Sequence, residues 1–394
     1  MKAPDAALRW LREQLPAMEG ALADLVSLNS FTANPEGCAA VAARLRDLFL
    51  LDGLTSELIP SRQGHGPHLL LRTDAPGSPV GLVGHLDTVF PPDTFQGYRV
   101  DGDLRRGPGV LDMKGGLVVV AFALHALARE NLLASLPLRL AIVSDEEIGS
   151  PEGGDLLRSF MTPTRAALVF EAGRARDALI TRRKGTGKVQ AVAEGKKAHA
   201  GNQHAEGVNA VWALAIFVDR AQRLTSYQEG CTINVGRMAG GEVANTVPDR
   251  AEAQVDLRFT TAEQGRRLLA SLEAAAREAE AQVPGAKVRL SGGLSRMPME
   301  QSVGSLALLK AYGLGATAEG LGAEEAPLLG GGSDACTTAA MGIASLDGLG
   351  PRGKGFHTED EQIEVRTLVP KAAALVRFLA AWPAVLAGRP GEGN

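Results

Sequence analysis

Three short apolar runs within residues 80–171 each end at an acidic or imidazole side chain. Aliphatic runs between Gly, Pro and polar clusters are typical of buried strands in a parallel sheet. Side chains just past the carboxyl ends of such strands line one crevice, so we expect these groups to meet, as at a metal site. The runs are Val80-Gly-Leu-Val-Gly84 before His85-Leu-Asp87, Leu138-Arg-Leu-Ala-Ile-Val143 before Ser144-Asp-Glu-Glu147, and Ala167-Leu-Val-Phe170 before Glu171.

Length and charge limit the class of protein. A chain of 394 residues is long for a single core, so two domains are expected. The net charge of -4 and the lack of a basic stripe argue against a nucleic-acid partner. Cys38, Cys231 and Cys336 lie far apart and are interpreted as buried apolar residues. No apolar signal core or membrane-length run is found, which predicts a soluble, cytoplasmic protein.

The pattern of elements predicts an α/β fold with an inserted domain. Helical periodicity covers residues 6–28 and 38–50, strands are expected within 55–71, and Asp112 opens a helix through Leu127. Residues 98–103 resemble a turn between short strands. From residue 183 the order becomes β-α-β-β-α-β, typical of a ferredoxin-like domain. We predict a catalytic domain of residues 1–182 and 294–394, an inserted domain of residues 183–293, and a frayed tail, Gly388–Asn394.

Two histidines and four carboxylates supply enough groups for a two-metal hydrolytic site. Zinc binds His nitrogen and carboxylate oxygen, and a paired site needs about two terminal ligands per ion, a bridging carboxylate and a free base. Taken singly, each residue has a simpler interpretation as a satisfied polar group, a solvated charge or a helix cap. The set is His85, Asp112, Glu146, Glu147, Glu171 and His357.

Seven motifs in this order resemble the dinuclear zinc amidohydrolases and exopeptidases. That family includes glutamate carboxypeptidase, acetylornithine deacetylase, succinyl-diaminopimelate desuccinylase and aminoacylase. The motifs are Gly84-His-Leu-Asp-Thr-Val89, Gly107-Pro-Gly-Val-Leu-Asp-Met-Lys-Gly-Gly116, Ser144-Asp-Glu-Glu-Ile-Gly149, Phe170-Glu171, Ala198-His-Ala-Gly201, Gly330-Gly-Gly-Ser-Asp334 and Gly355-Phe-His-Thr-Glu359.

The resemblance implies a zinc-exopeptidase catalytic domain, with a mostly parallel central sheet between helices, that binds two Zn²⁺ per subunit; Co²⁺ or Mn²⁺ are alternatives. Asp112 would bridge the ions, and the peptide bond after it would be cis. His85 and Glu171 would complete one ion, and Glu147 and His357 the other. Asp87 would orient His85 by accepting its ring N–H. Glu146 would be the general base for a zinc-activated water that attacks an amide.

The same resemblance implies that the inserted domain serves dimerisation and acts as a lid, and that the protein is a homodimer. His199 would reach the partner's site and polarise the substrate. Arg258 would clamp the substrate carboxylate, although it could instead pair with Asp256. Further substrate contacts would come from Asn245 and from the loop that contains Gly331 and Ser333. Relatives often carry Pro where this chain has His204, which leaves the reach of His199 open.

Three functions remain open. The first is a glutamate carboxypeptidase-like metallopeptidase that acts on a small peptide or N-acyl amino acid with a free carboxylate. This branch is favoured because residues 349–357 and 98–109 resemble glutamate carboxypeptidase most. The second is a biosynthetic deacylase of the acetylornithine or succinyl-diaminopimelate type. The third is a non-catalytic, metal-holding protein that binds carboxylates.

Overall fold

The computed structural model describes residues 4–387, so the tail predicted to fray lies outside the described residues. The chain divides into two compact units. The first contains the chain up to Thr181, Gln301–Pro327 and the chain from Ser333 onward, and the second contains Arg182–Glu300 and Leu328–Gly332.

Helices and strands alternate along most of the described chain. The helices are α1 (Asp5–Arg12), α2 (Leu15–Ser27), α3 (Pro35–Leu48), α4 (Lys114–Arg129), α5 (Gly153–Met161), α6 (Ala210–Gln222), α7 (Ala262–Gln282), α8 (Val303–Ala318), α9 (Asp334–Ala340) and α10 (Leu368–Ala387). The strands are β1 (Thr55–Ile59), β2 (His68–Arg72), β3 (Val80–His85), β4 (Arg99–Asp101), β5 (Leu104–Arg106), β6 (Leu138–Val143), β7 (Ala166–Val169), β8 (Gly185–Glu194), β9 (Ala198–His199), β10 (Thr232–Gly240), β11 (Thr246–Val247), β12 (Arg250–Phe259), β13 (Lys287–Arg296), β14 (Ala344–Leu346), β15 (Gly353–Lys354) and β16 (Gln362–Glu364).

The first unit is built on a sheet with the strand order β1-β2-β6-β3-β7-β14. Strands β6, β3, β7 and β14 run parallel, whereas β2 is antiparallel to β6 and β1 to β2. Every residue of β3 is buried, as expected for a strand covered on both faces. Helix α4 is buried along most of its length because α1, α2 and α10 pack against it. The predicted mostly parallel sheet between helices is confirmed.

The predicted turn at residues 98–103 is also present, since β4 and β5 form an antiparallel hairpin. The three cysteines are free and buried, as predicted. Among the described residues, no helix is both long and apolar enough to cross a bilayer.

The second unit contains an antiparallel sheet in the order β10-β12-β8-β13. Burial alternates along β8 and β12, which fits one face packed on the core and one exposed. Helices α6 and α7 pack on the buried face. The order of the long elements is β-α-β-β-α-β, and the short strands β9 and β11 form a separate antiparallel pair.

Strand β13 is longer than the sequence suggested, which shifts the unit boundary. The Ser-Gly-Gly sequence at residues 291–293 resembles the end of a strand, yet pairing with β8 continues to Arg296. Gly292 has φ 94°, and a Cβ atom there would lie 2.3 Å from the carbonyl oxygen of Lys188. The glycine therefore permits a close backbone approach within the sheet. The long segment of the second unit accordingly runs to Glu300, and the predicted domain bounds stay a prediction.

Candidate metal centre

The carboxyl ends of β6, β3 and β7 place four acidic or imidazole groups side by side. His85 is the last residue of β3, Glu171 lies two residues beyond β7, and a loop with Glu146 and Glu147 follows β6. Because these strands are parallel neighbours, their ends lie along one edge of the sheet. Asp112 reaches this edge from the loop before α4, and the peptide bond after it is cis.

The two carboxylate oxygens of Asp112 face two different histidines. Oδ1 lies 3.2 Å from Nε2 of His85, and Oδ2 lies 3.3 Å from Nε2 of His357. Asp112 and His85 are buried, whereas the side chain of His357 is 50% exposed. A carboxylate in this position can bridge two groups bound on opposite sides.

Glu147 and Glu171 complete the two sides of the cluster. Glu147 Oε2 lies 3.1 Å from Nε2 of His357, and Glu171 Oε1 lies 3.8 Å from Nε2 of His85. Potential ligand atoms of His85, Asp112 and Glu147 all lie within 4.8 Å of one another. The structure therefore brings all five predicted metal ligands together. Their role as ligands stays a prediction.

The electrostatics of the cluster show an excess of buried negative charge. Burial raises the pKa of Glu147 and of Glu171, and the charge of Asp112 adds to both effects. Burial alone would also raise the pKa of Asp112, but hydrogen bonds with His357 and His85 hold it below its usual 3.8. The bonds to Asp112 and Glu147 raise the pKa of His357 to about 10. The cluster thus favours bound positive charge, and its imidazole and carboxylate donors fit divalent zinc.

Asp87 is fully buried and connects His85 to the loop after β6. Its main-chain carbonyl is 3.0 Å from His85 Nδ1, and its carboxylate Oδ1 is 3.4 Å away, so the carbonyl is the closer partner. The carboxylate accepts hydrogen bonds from the Thr32 hydroxyl and from the backbone N–H groups of Glu146 and Glu147. Asp87 therefore orients both the imidazole and the acidic loop.

Glu146 and Glu147 lie at the start of a short 3₁₀ turn, Glu146–Ile148. The chain coils after Asp145, so the two residues do not alternate as neighbours on a strand would. Their carboxylates are nevertheless placed differently. A potential ligand atom of Glu146 lies within 4.8 Å of such atoms of His85 and Glu171, whereas Glu147 contacts His357.

Sequence reasoning missed Glu361, which lies behind the cluster. This residue is fully buried, and its carboxylate accepts backbone N–H groups from Gly109, Leu111 and Asp112 at 2.8 to 3.0 Å. Burial raises its pKa to about 7. It lies four residues after His357, in an acidic segment where the sequence alone does not distinguish it from Glu359 and Asp360.

Two candidates of the second unit lie close together, His199 in β9 and Asn245 directly before its partner strand β11. His199 in β9 pairs with Thr246 in β11, and Asn245 accepts the backbone N–H of Ala200 through its carbonyl. The exposed His199 accepts backbone N–H groups at Nδ1, at 3.1 Å from both Gly201 and Asn202. Its ring proton therefore belongs on Nε2, which can donate to a ligand. His204 begins a separate 3₁₀ turn, His204–Glu206.

Arg258 makes the alternative contact considered above, a two-point ion pair with Asp256. Its Nε and Nη2 atoms lie 2.8 and 3.0 Å from the two carboxylate oxygens, and Nη1 donates to the carbonyl of Gly330 at 3.3 Å. The next residue, Gly331, accepts a hydrogen bond from Arg183. The roles of Arg258 and Gly331 in substrate binding stay predictions.

Ser333 belongs to the first unit and is 2% exposed. Its hydroxyl donates to Asp347 Oδ2 at 2.7 Å and accepts the N–H of Ala335, so it caps α9. These contacts give Ser333 a structural role, and its predicted contact with a substrate stays untested.

Comparisons with known proteins agree with this geometry. Residues 81–381 match the model of peptidase family M20/M25/M40. Carboxypeptidase G2 of Pseudomonas sp. (strain RS-16) is 28% identical over 390 residues, covering 94% of this chain and 91% of that protein. A succinyl-diaminopimelate desuccinylase of Cereibacter sphaeroides is 28% identical over 385 residues, covering 91% of this chain and 96% of the desuccinylase.

A solved structure with the same fold is a dinuclear metal-binding peptidase of the M20 family from Bacillus subtilis. It superposes with a TM-score of 0.71 at 14% identity and covers 94% of this chain and 99% of its own. The family match spans more than half of the chain and includes the whole cluster from His85 to His357. The resemblance noted in the sequence is thereby confirmed, and the chain belongs to peptidase family M20/M25/M40, a family of hydrolases.

Proposed function

We propose that this protein is a metal-dependent carboxypeptidase that releases an amino acid with a free carboxylate from a peptide or N-acyl precursor, as a glutamate carboxypeptidase does. The observation that carries the proposal is the position of Asp112 between the Nε2 atoms of His85 and His357. The relative named carboxypeptidase G2 supports this branch, since the alignment covers nearly the whole of both proteins.

Two divalent cations would share Asp112. His85 and Glu171 would hold one cation, and Glu147 and His357 the other. Imidazole and carboxylate donors suit zinc, and cobalt or manganese accept the same set. When bound, the cations would lower the pKa of a water molecule and polarise the carbonyl of the substrate.

Glu146 is the proposed general base. Its backbone N–H donates to Asp87, and its carboxylate lies beside the potential ligand atoms of His85 and Glu171. Glu146 takes a proton from the attacking water as the new C–O bond forms. It returns that proton to the leaving nitrogen when the C–N bond breaks, so the products are a carboxylic acid and a free amine.

The second unit supplies the groups proposed for substrate recognition. Arg258 has the fork geometry that binds a carboxylate at two points, as it already does with Asp256. His199 has an Nε2–H that can polarise the scissile carbonyl, and Asn245 lies next to the strand beside it. We propose that these groups serve a homodimer assembled through the second unit.

A substrate panel tests the activity. Protein reconstituted with zinc would be assayed with N-acyl and peptidyl glutamates, N-acetylornithine and N-succinyl-diaminopimelate, with release of the free amine as the readout. We expect the glutamate substrates to have the highest kcat/KM. Tight zinc binding without hydrolysis of any substrate would instead support the non-catalytic carboxylate-binding protein.

A deacylase is the second candidate, because the desuccinylase relative matches this chain at the same identity as carboxypeptidase G2. The same metal cluster and base would serve both reactions. Preferred hydrolysis of N-acetylornithine or N-succinyl-diaminopimelate in the panel would replace the first proposal with this one.

A further inference from the structure

The loop that carries the acidic pair is attached at its start to a buried histidine. His68, the first residue of β2, is 1% exposed, and its Nδ1 accepts the backbone N–H of Ser144 at 3.2 Å. The Ser144 hydroxyl donates to the carbonyl of Gly66, two residues before His68. The point where the chain leaves β6 is thus fixed to the start of β2.

The other side of the imidazole faces a carboxylate. Because Nδ1 accepts a hydrogen bond, the ring proton belongs on Nε2. Within the described part of the chain this buried Nε2 has no hydrogen-bond partner, and Glu152 Oε2 lies 4.0 Å away. Glu152 also accepts the Ser61 hydroxyl and the Arg62 N–H, which hold its carboxylate beside the ring. A negative group in this position favours the Nε2–H tautomer.

The remaining residues of the loop have their own attachments. The Asp145 carboxylate accepts the N–H groups of Glu152 and Gly153 at the start of α5. The N–H groups of Glu146 and Glu147 are held by Asp87. Each backbone or side-chain contact fixes one point of the segment, and His68 supplies the first.

Ser144, His68 and Glu152 lie in the order of a serine hydrolase triad, but the arrangement does not serve nucleophilic catalysis. Ser144 is fully buried, and its hydroxyl donates to the carbonyl of Gly66, while its oxygen lies 3.5 Å from His68 Nδ1. The hydrogen bond that fixes the loop is the one from the Ser144 backbone N–H to the imidazole of His68.

We propose that His68 is a positioning residue of the metal centre. It holds the backbone from which Glu146 and Glu147 project and thereby sets the position of the Glu147 carboxylate relative to His357. The inference rests on the proposed function, because it assigns to His68 an effect on one of the two proposed cation sites.

The matched variants His68→Asn and His68→Gln test it. The amide of Asn lies where Nδ1 lies and can accept the Ser144 N–H, whereas the amide of Gln lies where Nε2 lies. Apoprotein would be titrated with zinc against a chromophoric chelator. We expect His68→Gln to lower the affinity for one of the two zinc ions by about 10- to 100-fold. His68→Asn should bind both zinc ions with wild-type affinity.

Leu71→Ala is the control, since Leu71 is a buried residue of the same strand with a wholly apolar side chain. It should lower stability without weakening either zinc equivalent. Equal zinc binding by His68→Gln and the wild type, or equal weakening of both equivalents, would overturn the inference while leaving the proposed function intact. A wild-type chain that binds fewer than two zinc ions would overturn the proposed function, and the inference with it.

Discussion

At the scale of single residues, Asp112 connects distant parts of the chain. One of its oxygens faces the histidine at the end of β3, and the other faces His357, which follows β15. Burying carboxylates together is unfavourable unless positive charge compensates them. Asp112 uses two imidazoles for this purpose, but Glu147 and Glu171 keep raised pKa values. This uncompensated negative charge is the physical reason to expect bound cations at the cluster.

The role of Glu146 can be separated from that of its neighbour by one substitution at each position. In Glu146→Gln the proton acceptor is lost while the five proposed ligands remain. We expect turnover to fall by about 10²- to 10⁴-fold, the usual contribution of a general base, with zinc content unchanged. Steady-state kinetics and metal analysis of the same preparation measure both quantities.

Glu147→Gln is the matched control for that experiment. It changes the same chemical group one residue later, and we expect it to lose zinc, because Glu147 contacts His357 in the cluster. If Glu146→Gln kept most of its turnover, the general base would have to be another group.

At the scale of elements, Glu361 joins two loops that each carry a proposed ligand. It lies at the end of the segment that contains His357, and it accepts three N–H groups from the segment that ends at Asp112. In Glu361→Gln an amide N–H₂ group replaces one acceptor oxygen and faces backbone donors. We expect a loss of about 1 to 3 kcal/mol in stability and about 10- to 100-fold weaker zinc binding.

Urea unfolding of the apoprotein and zinc titration would measure these effects. Glu359→Gln is the control, because Glu359 is an exposed acid of the same loop. Similar effects of the two substitutions would show that the general charge of the loop, rather than the contacts of Glu361, supports the site.

The sequence predicted the helices and strands in which apolar residues recur at a regular spacing, and it predicted the site at which the strand ends meet. The runs before His85 and Glu171 are apolar and bounded by Gly or polar residues, so both the strands and their convergence could be inferred. Glu361 could not be distinguished from Glu359 and Asp360, because its burial depends on the loop conformation. His68 could not be recognised because its contact with Ser144 requires the pairing of β2 with β6.

A second buried charge cluster connects Asp177 with Arg352 and with Lys371 of α10. Asp177 is 2% exposed and lies 2.5 Å from Arg352 Nη2 and 3.4 Å from Lys371 Nζ on α10. Lys371 is 1% exposed. Asp177→Asn would remove the carboxylate that Lys371 faces, whereas Arg352 would keep its partly buried pair with Glu364 at 3.2 Å. We expect a loss of about 3 kcal/mol at pH 7, measured by urea unfolding.

The effect should depend on pH in a defined direction. Burial alone would raise the pKa of Asp177, but Arg352 and Lys371 hold it below the usual 3.8. The carboxylate therefore stabilises the fold above about pH 4, and this contribution is lost as the pH falls through the lowered value. The difference between wild type and variant should narrow below pH 4. Arg366→Ala, which removes an exposed pair with Glu364, should cost less than about 1 kcal/mol at any of these pH values.

At the scale of the whole molecule, the second unit offers an edge for self-association. Strand β10 is at one end of its sheet, with Met238 43% exposed. Trp212 on α6 is 56% exposed, and Val243 after β10 is 59% exposed. An end strand beside apolar side chains suits pairing with a second copy. We expect sedimentation equilibrium of the wild type to give a dimer. The substitution Trp212→Arg should shift the monomer–dimer equilibrium toward the monomer. A wild type that is monomeric at all concentrations would exclude this dimer.

Subunit complementation tests whether His199 acts across that dimer. Glu146→Gln and His199→Ala should each be nearly inactive as pure dimers. In a mixed dimer, the subunit with the His199→Ala substitution keeps Glu146, and its partner supplies an intact His199, so one of the two sites is complete. After subunit exchange at equal concentrations, half of the dimers are mixed, and activity should recover to about a quarter of wild type. If His199 served its own subunit, mixing would restore no activity, because no site would contain both intact groups.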